Sequence, residues 1–285
     1  MESGDVRTLG VVGCGLMGSG IVEVAARVGI DVTFVEPTKD LVTAGRARIE
    51  GSTAKAVERD KLTSDDRDAL LARVRGVTDP AAFADVDVVI EAATEDPSIK
   101  LDTFRTLDAI IRPEVVLGSN TSSIPIATLG AATGRPDRVI GIHFFNPPPV
   151  MKLVELTPSL STSQETVAFA RGFGERLGKT VVIAKDHAGF IVNRLVIPYI
   201  CAAIRLYDEG FATREDIDVS MTLGMNHPMG PLKLADFIGL DTVLQIAEVL
   251  HAEFREPMYA PPPRLHRMVD AGHLGRKSGR GFYEY

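Results

Sequence analysis

One strand–turn–helix segment near the start limits the folds open to this chain. Leu9-Gly10-Val11-Val12 is an apolar strand. Gly13-Cys14-Gly15-Leu16-Met17-Gly18 interrupts it, and helical spacing then runs to about Val28, where Gly29 is a stop. A second strand follows, Asp31-Val32-Thr33-Phe34-Val35-Glu36. In a G-x-G-x-x-G placed this way each glycine has a task. Gly13 allows the tight turn, Gly15 lets the backbone approach a pyrophosphate, and Gly18 brings helix onto strand. The helix start, with Leu16 and Met17 in its first turn, offers unpaired amides and a positive dipole end to a diphosphate. Glu36 ends the second strand, where an acid hydrogen-bonds the adenosine ribose hydroxyls. Its carboxylate repels a 2′-phosphate, so NAD is the expected cofactor rather than NADP. Cys14 reads as a small filler within the loop.

The βα alternation continues to about Lys185, with strands expected at 8–13, 31–36, 75–78, 86–91, 115–119, 138–144, 152–156 and 180–184. The stretch from Thr38 to Val74 is long enough for a helical hairpin. This pattern implies an α/β domain over 1–185, a Rossmann-like, doubly wound and mostly parallel sheet. Beyond Lys185 helical spacing dominates, at roughly 187–209, 213–223, 231–238 and 241–254, with Gly210 a stop and Thr213 with Asp216 a start. Residues 186–285 therefore read as a separate all-helical domain.

Composition removes several function classes. A net charge of −7 without a basic cluster argues against a nucleic-acid partner. Two distant cysteines form neither a disulfide framework nor a metal-ligand spacing, so no metal is expected. No apolar run is long enough to span a bilayer, and Met1 to Asp5 carries no signal-peptide pattern. The expectation is a cytoplasmic protein with no membrane partner.

The chemistry points to His143-Phe144-Phe145-Asn146-Pro147-Pro148-Pro149-Val150-Met151-Lys152-Leu153-Val154-Glu155. The segments on either side read as strands, and three consecutive prolines cannot continue a ladder. Pro149 lies midway between His143 and Glu155. A chain doubling back there brings imidazole and carboxylate side by side, as in a general acid/base pair. The competing reading is a strand histidine satisfied by a backbone carbonyl, with Glu155 on the surface.

Three further constellations each admit two readings. Gly118-Ser119-Asn120-Thr121-Ser122-Ser123 follows an apolar strand, so it either lines the crevice at the sheet's carboxyl ends or caps a helix over 125–132. Asn193 lies inside the expected 187–209 helix on an apolar face, where it either meets a ligand or bonds within its own domain. The tail Leu274-Gly275-Arg276-Lys277-Ser278-Gly279-Arg280-Gly281-Phe282-Tyr283 would, alone, pass for a flexible end.

Together these motifs carry a family resemblance. Gly13-x-Gly15-x-x-Gly18, Ser119-Asn120-Thr121-Ser122-Ser123, His143-Phe144-Phe145-Asn146-Pro147, Gly189-Phe190-Ile191-Val192-Asn193-Arg194, His227-Pro228-Met229-Gly230-Pro231 and Lys277 to Tyr283 recur in this order in the L-3-hydroxyacyl-CoA dehydrogenases. The resemblance covers essentially the whole chain. Its length, with no crotonase-like domain attached, resembles the monofunctional bacterial 3-hydroxybutyryl-CoA type.

The resemblance implies NAD-dependent oxidation of an L-3-hydroxyacyl-CoA and its reverse, with His143 as base and Glu155 as its partner. It implies that Ser122 and Asn193 hold the substrate's 3-oxygen and the surroundings of the histidine. Glu95, Lys100, Asn120, Asn146 and Lys277 match positions lining the nicotinamide half of NAD. The family grips the CoA adenosine end with a hairpin Ser and Lys seven apart. Here those positions are Ser52 and Arg59, with Lys55 between them, and arginine keeps the charge while changing the geometry. Glu36 replaces the more usual Asp on a longer arm. An acyl-CoA partner and a homodimer through the helical domain are implied as well. The rivals are an NAD-dependent hydroxy-acid oxidoreductase of another substrate class and a non-enzymatic relative of the lens lambda-crystallin kind.

Overall fold

The computed structural model describes residues 3–285 and divides into two compact units, one ending at His187 and the other Ala188–Tyr285. The first holds eight strands: β1 Thr8–Val12, β2 Asp31–Val35, β3 Val74–Val77, β4 Val88–Glu91, β5 Val116–Ser119, β6 Val139–Phe144, β7 Leu153–Pro158 and β8 Thr180–Ile183. They form one sheet in the order β3-β2-β1-β4-β5-β6-β7-β8. All neighbours pair in parallel except β6 and β7, which are antiparallel. The strand order reverses between β1 and β4, so their carboxyl ends open a crevice where open α/β sheets bind ligands.

Six helices accompany this sheet: α1 Leu16–Arg27, α2 Lys39–Glu58, α3 Ser64–Ala72, α4 Pro97–Ile110, α5 Ile126–Ala131 and α6 Gln164–Arg176. The helical hairpin expected between Thr38 and Val74 is α2 with α3. Capping is local and explicit. The side chains of Thr38, Thr63, Asp96 and Ser163 each accept a backbone amide at a helix start. The strands are buried on both faces, as β4, β5 and β6 show throughout, which explains their continuous apolar runs.

The second unit is helical: α7 Val192–Asp208, α8 Arg214–Gly224, α9 Pro231–Ile238, α10 Leu240–Phe254 and α11 Pro263–Asp270. Its core includes Ile197, Ile200, Ile204, Leu232, Leu240, Val243 and Leu250. Two expectations need correction. The helix read from 187 begins at Val192, because Gly189 (φ +76°) and Phe190 (φ +46°) are left-handed and cannot continue a helix. α11, which the spacing did not suggest, starts on a proline, and its first turn requires no amide donor there.

The glycine-rich tail is folded rather than flexible. Asp236 on α9 accepts the amides of Phe282 and Tyr283, each at 2.9 Å, and the Tyr285 hydroxyl at 3.1 Å. The Tyr283 hydroxyl donates to Asp218 Oδ2 at 2.8 Å. A Cβ on Gly275 or Gly281 would collide with Asp236, so the tail approaches α9 only through glycine. Among the described residues no helix is long and apolar enough to cross a membrane, and no group of His, Cys, Asp and Glu is arranged to hold a metal ion.

Candidate active site

The dinucleotide loop has the shape its sequence requires. Gly13 sits at φ +83°, and a Cβ there would lie 2.8 Å from the Ala92 carbonyl oxygen. A Cβ on Gly18 would lie 1.8 Å from the Gly13 carbonyl oxygen, so α1 seats against the loop only without a side chain. Gly15, at the helix start, faces open space. Leu16 and Met17 form the first turn of α1. Glu36 follows β2, and its Oε1 accepts the Cys14 amide at 2.5 Å. A cleft of about 650 Å³ opens here, lined by Gly13, Gly15, Glu36, Leu41, Ile99 and Thr103 among others. An open loop, a carboxylate at the second strand and an apolar cleft beside them fit the adenosine and diphosphate of NAD.

Cys14 is fully buried and packs against Gly45 of α2, where a Cβ would lie 2.8 Å away. Burial pushes its thiol up to about 12, Glu36 adds to the effect, and Arg48 opposes it. The thiol is a filler and not a nucleophile.

β6 and β7 bring His143 and Glu155 together. Their register sets His143 opposite Glu155. His143 Nδ1 lies 2.9 Å from Glu155 Oε2, with the carboxylate fully buried and the imidazole nearly so. This geometry contradicts a surface Glu155. A carboxylate at Nδ1 fixes the tautomer carrying hydrogen on that nitrogen and stabilises the imidazolium. The Phe145 ring meets the imidazole edge-on at 4.7 Å. The proline loop between the strands is fastened by Lys179, whose ammonium donates to the Pro148 carbonyl at 2.6 Å and the Met151 carbonyl at 2.9 Å. Burial, with Arg27 nearby, lowers the affinity of Lys179 for its proton. The loop also rests on α1, where a Cβ on Gly20 would lie 2.6 Å from Pro148.

The polar run after β5 lies at the carboxyl end of the sheet, and the reading of it as a helix cap is corrected. Asn120 Oδ1 accepts the Phe144 amide at 2.9 Å, tying this run to the strand that carries His143. Glu95 Oε1 accepts the Thr121 hydroxyl at 2.6 Å, the Ser122 amide at 2.9 Å and the Ser123 hydroxyl at 2.9 Å. The amide cap of α5 comes instead from Asp186, which accepts from Ile126 and Ala127 at 2.8 Å each. Burial raises the carboxyl of Glu95, but Lys100, Thr121, Ser122 and Ser123 outweigh it and hold the group below the usual carboxylate range. Lys100 is itself buried, 2.6 Å from Glu91 Oε1 and 3.4 Å from Glu95 Oε2.

The other expected residues lie apart from this cluster or in the second unit. Asn146 is exposed in the proline loop. Ser52 and Lys55 lie on α2, and Arg59 is its C-cap; Lys55 and Arg59 are exposed and Ser52 half-buried. In the second unit Asn193 is half-buried in the first turn of α7, where asparagine carries no interior-helix penalty. Lys277 pairs with Asp241 of its own unit at 2.5 Å.

Sequence reasoning missed Glu91 and Lys179. A glutamate closing the apolar run Asp87-Val88-Val89-Ile90-Glu91 is a signal for the first, since a carboxylate at the end of a buried strand needs partners. Lys179 follows a glycine before a strand and carries no such signal.

Two family models match the chain: 3-hydroxyacyl-CoA dehydrogenase, NAD binding domain, over residues 8–187, and 3-hydroxyacyl-CoA dehydrogenase, C-terminal domain, over residues 189–285. A 3-hydroxybutyryl-CoA dehydrogenase of Mycobacterium tuberculosis is 50% identical over 282 residues, covering 98% of this chain and 99% of that protein. A probable 3-hydroxybutyryl-CoA dehydrogenase of Bacillus subtilis is 46% identical, over 99% of this chain and 98% of that protein. The crystal structure of (S)-3-hydroxybutyryl-CoA dehydrogenase from Ralstonia eutropha superposes with a TM-score of 0.94 at 46% identity, covering 99% of each chain. The chain belongs to the 3-hydroxyacyl-CoA dehydrogenase family.

Proposed function

We propose that this protein is an NAD-dependent 3-hydroxyacyl-CoA dehydrogenase acting on short chains, 3-hydroxybutyryl-CoA above all, and on the reverse reduction. The observation that carries this reading is the His143–Glu155 pair, held at the carboxyl edge of the sheet that also carries the dinucleotide loop. Full-length relatives with 3-hydroxybutyryl-CoA dehydrogenase in their names support the substrate class.

Gly13, Gly15, Gly18 and the first turn of α1 would hold the NAD diphosphate, and Glu36 the adenosine ribose. NAD, when bound, supplies a hydride acceptor for C3. His143 takes the 3-hydroxyl proton at Nε2 while Glu155 holds Nδ1–H and stabilises the imidazolium. In reduction the same nitrogen returns the proton to the 3-keto oxygen. Ser122, at the carboxyl end of β5, would orient that oxygen. Positioning and charge placement are the contributions of the chain.

On the hairpin, Ser52, Lys55 and Arg59 follow one another at helical spacings of three and four, which makes one face of α2. That face would meet the phosphates of CoA. In the helical unit Leu195, Val219, Leu223 and Met225 are exposed apolar side chains, which supports a homodimer formed there. The direct test is turnover with acetoacetyl-CoA and NADH. Turnover lowered about 10²–10⁴-fold by His143→Ala supports the reading. Absence of turnover in the wild type, with NADH bound, would favour a non-enzymatic role.

A further inference from the structure

A buried ion cluster lies where β4 and β5 end. Glu91 closes β4, Glu95 lies in the turn that follows, Lys100 stands on α4 and Ser119 closes β5. The Lys100 ammonium is 2.6 Å from Glu91 Oε1 and 3.4 Å from Glu95 Oε2. Glu91 is fully buried and its carboxylate is fully engaged. Oε1 also accepts the Ala93 amide at 2.7 Å, and Oε2 accepts the Ser119 hydroxyl at 2.7 Å. One ammonium thus faces two carboxylates, a formal charge of −1. Lys100 leans toward Glu91, so the charge of Glu95 is the less compensated one, and Glu95 is also the more exposed of the two carboxylates. A neutral Glu95–Lys100 pair would suffice to hold the Ser122–Ser123 loop. The second carboxylate reaches that loop only indirectly, through Ser119, whose hydroxyl oxygen accepts the Thr121 amide at 3.2 Å.

The sheet order says what this charge faces. Glu36 after β2 marks the adenosine end and the glycine loop after β1 marks the diphosphate. A dinucleotide crossing the switch point continues over the ends of β4 and β5. The nicotinamide ring is cationic when oxidised and neutral when reduced. We propose that the Glu91–Lys100–Glu95 cluster sets the relative affinity for the two redox states, favouring the oxidised cofactor, with Glu91 as a positioning residue that acts through Lys100. This rests on the NAD site assigned above. Glu91 lies beneath that site and draws the lysine away from Glu95, leaving net negative charge at the nicotinamide end.

The test is calorimetric titration of the full-length protein with NAD⁺ and with NADH, separately, for wild type, Glu91→Gln, Glu95→Gln and Glu36→Ala. Glutamine keeps the shape and one acceptor oxygen while removing one charge. Glu91→Gln is expected to raise the ratio Kd(NAD⁺)/Kd(NADH) by roughly 3- to 10-fold, the effect of one charge across a partly screened site. Glu95→Gln is expected to move the ratio the same way, and it carries the test if Glu91→Gln does not fold. Glu36→Ala should weaken both forms in proportion and leave the ratio alone. A proportional weakening of both forms by Glu91→Gln and Glu95→Gln would overturn the proposal while leaving the cofactor site standing. Unchanged affinities in both Gln variants, with Glu36→Ala still weakening both forms, would overturn it together with the placement of the nicotinamide half.

Discussion

Asn120 accepts the amide of Phe144 at 2.9 Å, and Phe144 is the residue after His143. The loop beyond β5 and the strand that carries His143 are therefore fastened together one residue from the imidazole. Replacing Asn120 by Ala leaves a buried amide without its acceptor, a cost of about 1–3 kcal/mol. Urea denaturation should show that loss. The kcat of Asn120→Ala should fall as well, whereas Asn120→Asp, which retains an acceptor, should recover much of the stability. A variant as stable as wild type would show that this bond holds nothing in place.

The position of Glu36 predicts cofactor choice. Its carboxylate sits at the end of β2, against the Cys14 amide and at the rim of the apolar cleft. Glu36→Ala should weaken NADH binding roughly 10- to 100-fold, the loss of about one charge-assisted hydrogen bond. It should also narrow the preference over NADPH. Equilibrium titrations with both cofactors check this, and a wild type that turned over NADPH more efficiently than NADH would contradict the role of Glu36.

Glu95 predicts a pH dependence of stability. Burial opposes its charge, but Lys100 and three hydroxyl and amide donors keep its carboxyl below the ordinary value of 4.5. A group with a depressed folded value stabilises fully above the unfolded value and loses that contribution as pH falls through the folded one. The stability gap between wild type and Glu95→Gln should thus be constant near neutrality and shrink as pH drops below 4.5. Urea midpoints measured from pH 7 downwards test this. A gap that widened on acidification would reverse the assignment.

Much of the fold was legible because its signals are local. The strand before Gly13, the helix after Gly18 and the acid at Glu36 are contiguous in sequence, and proline geometry alone turned the chain between His143 and Glu155. What stayed hidden depends on long-range partners. Glu91 meets Ser119 on the neighbouring strand, 28 residues on, and Lys179 reaches back to carbonyls at Pro148 and Met151. The tail looked flexible because its anchor, Asp236, stands 46 residues from Phe282. The late start of α7 follows from left-handed backbone at Gly189 and Phe190, which a pattern of apolar spacing does not encode for phenylalanine.

The hairpin predicts how substrate is gripped. Arg59 caps α2 and is exposed, with Ser52 and Lys55 on the same face. Arg59→Ala should raise KM for acetoacetyl-CoA roughly five-fold, about 1 kcal/mol for one exposed charge contact. A pantetheine thioester lacking the phosphates should be affected much less. Equal changes for both substrates would remove CoA from this face of α2.

The central claim is that His143 and Glu155, register partners across β6 and β7 with Nδ1 2.9 Å from Oε2, work as one unit. A double-mutant cycle on kcat tests it most directly, using acetoacetyl-CoA and NADH with His143→Ala, Glu155→Gln and the pair. His143→Ala should cost about 10²–10⁴-fold, the range for a positioned acid/base, and Glu155→Gln less. Because Glu155 acts only through the ring, the double variant should be hardly slower than His143→Ala alone. Fully multiplicative losses would mean that the two residues act independently, contrary to this account.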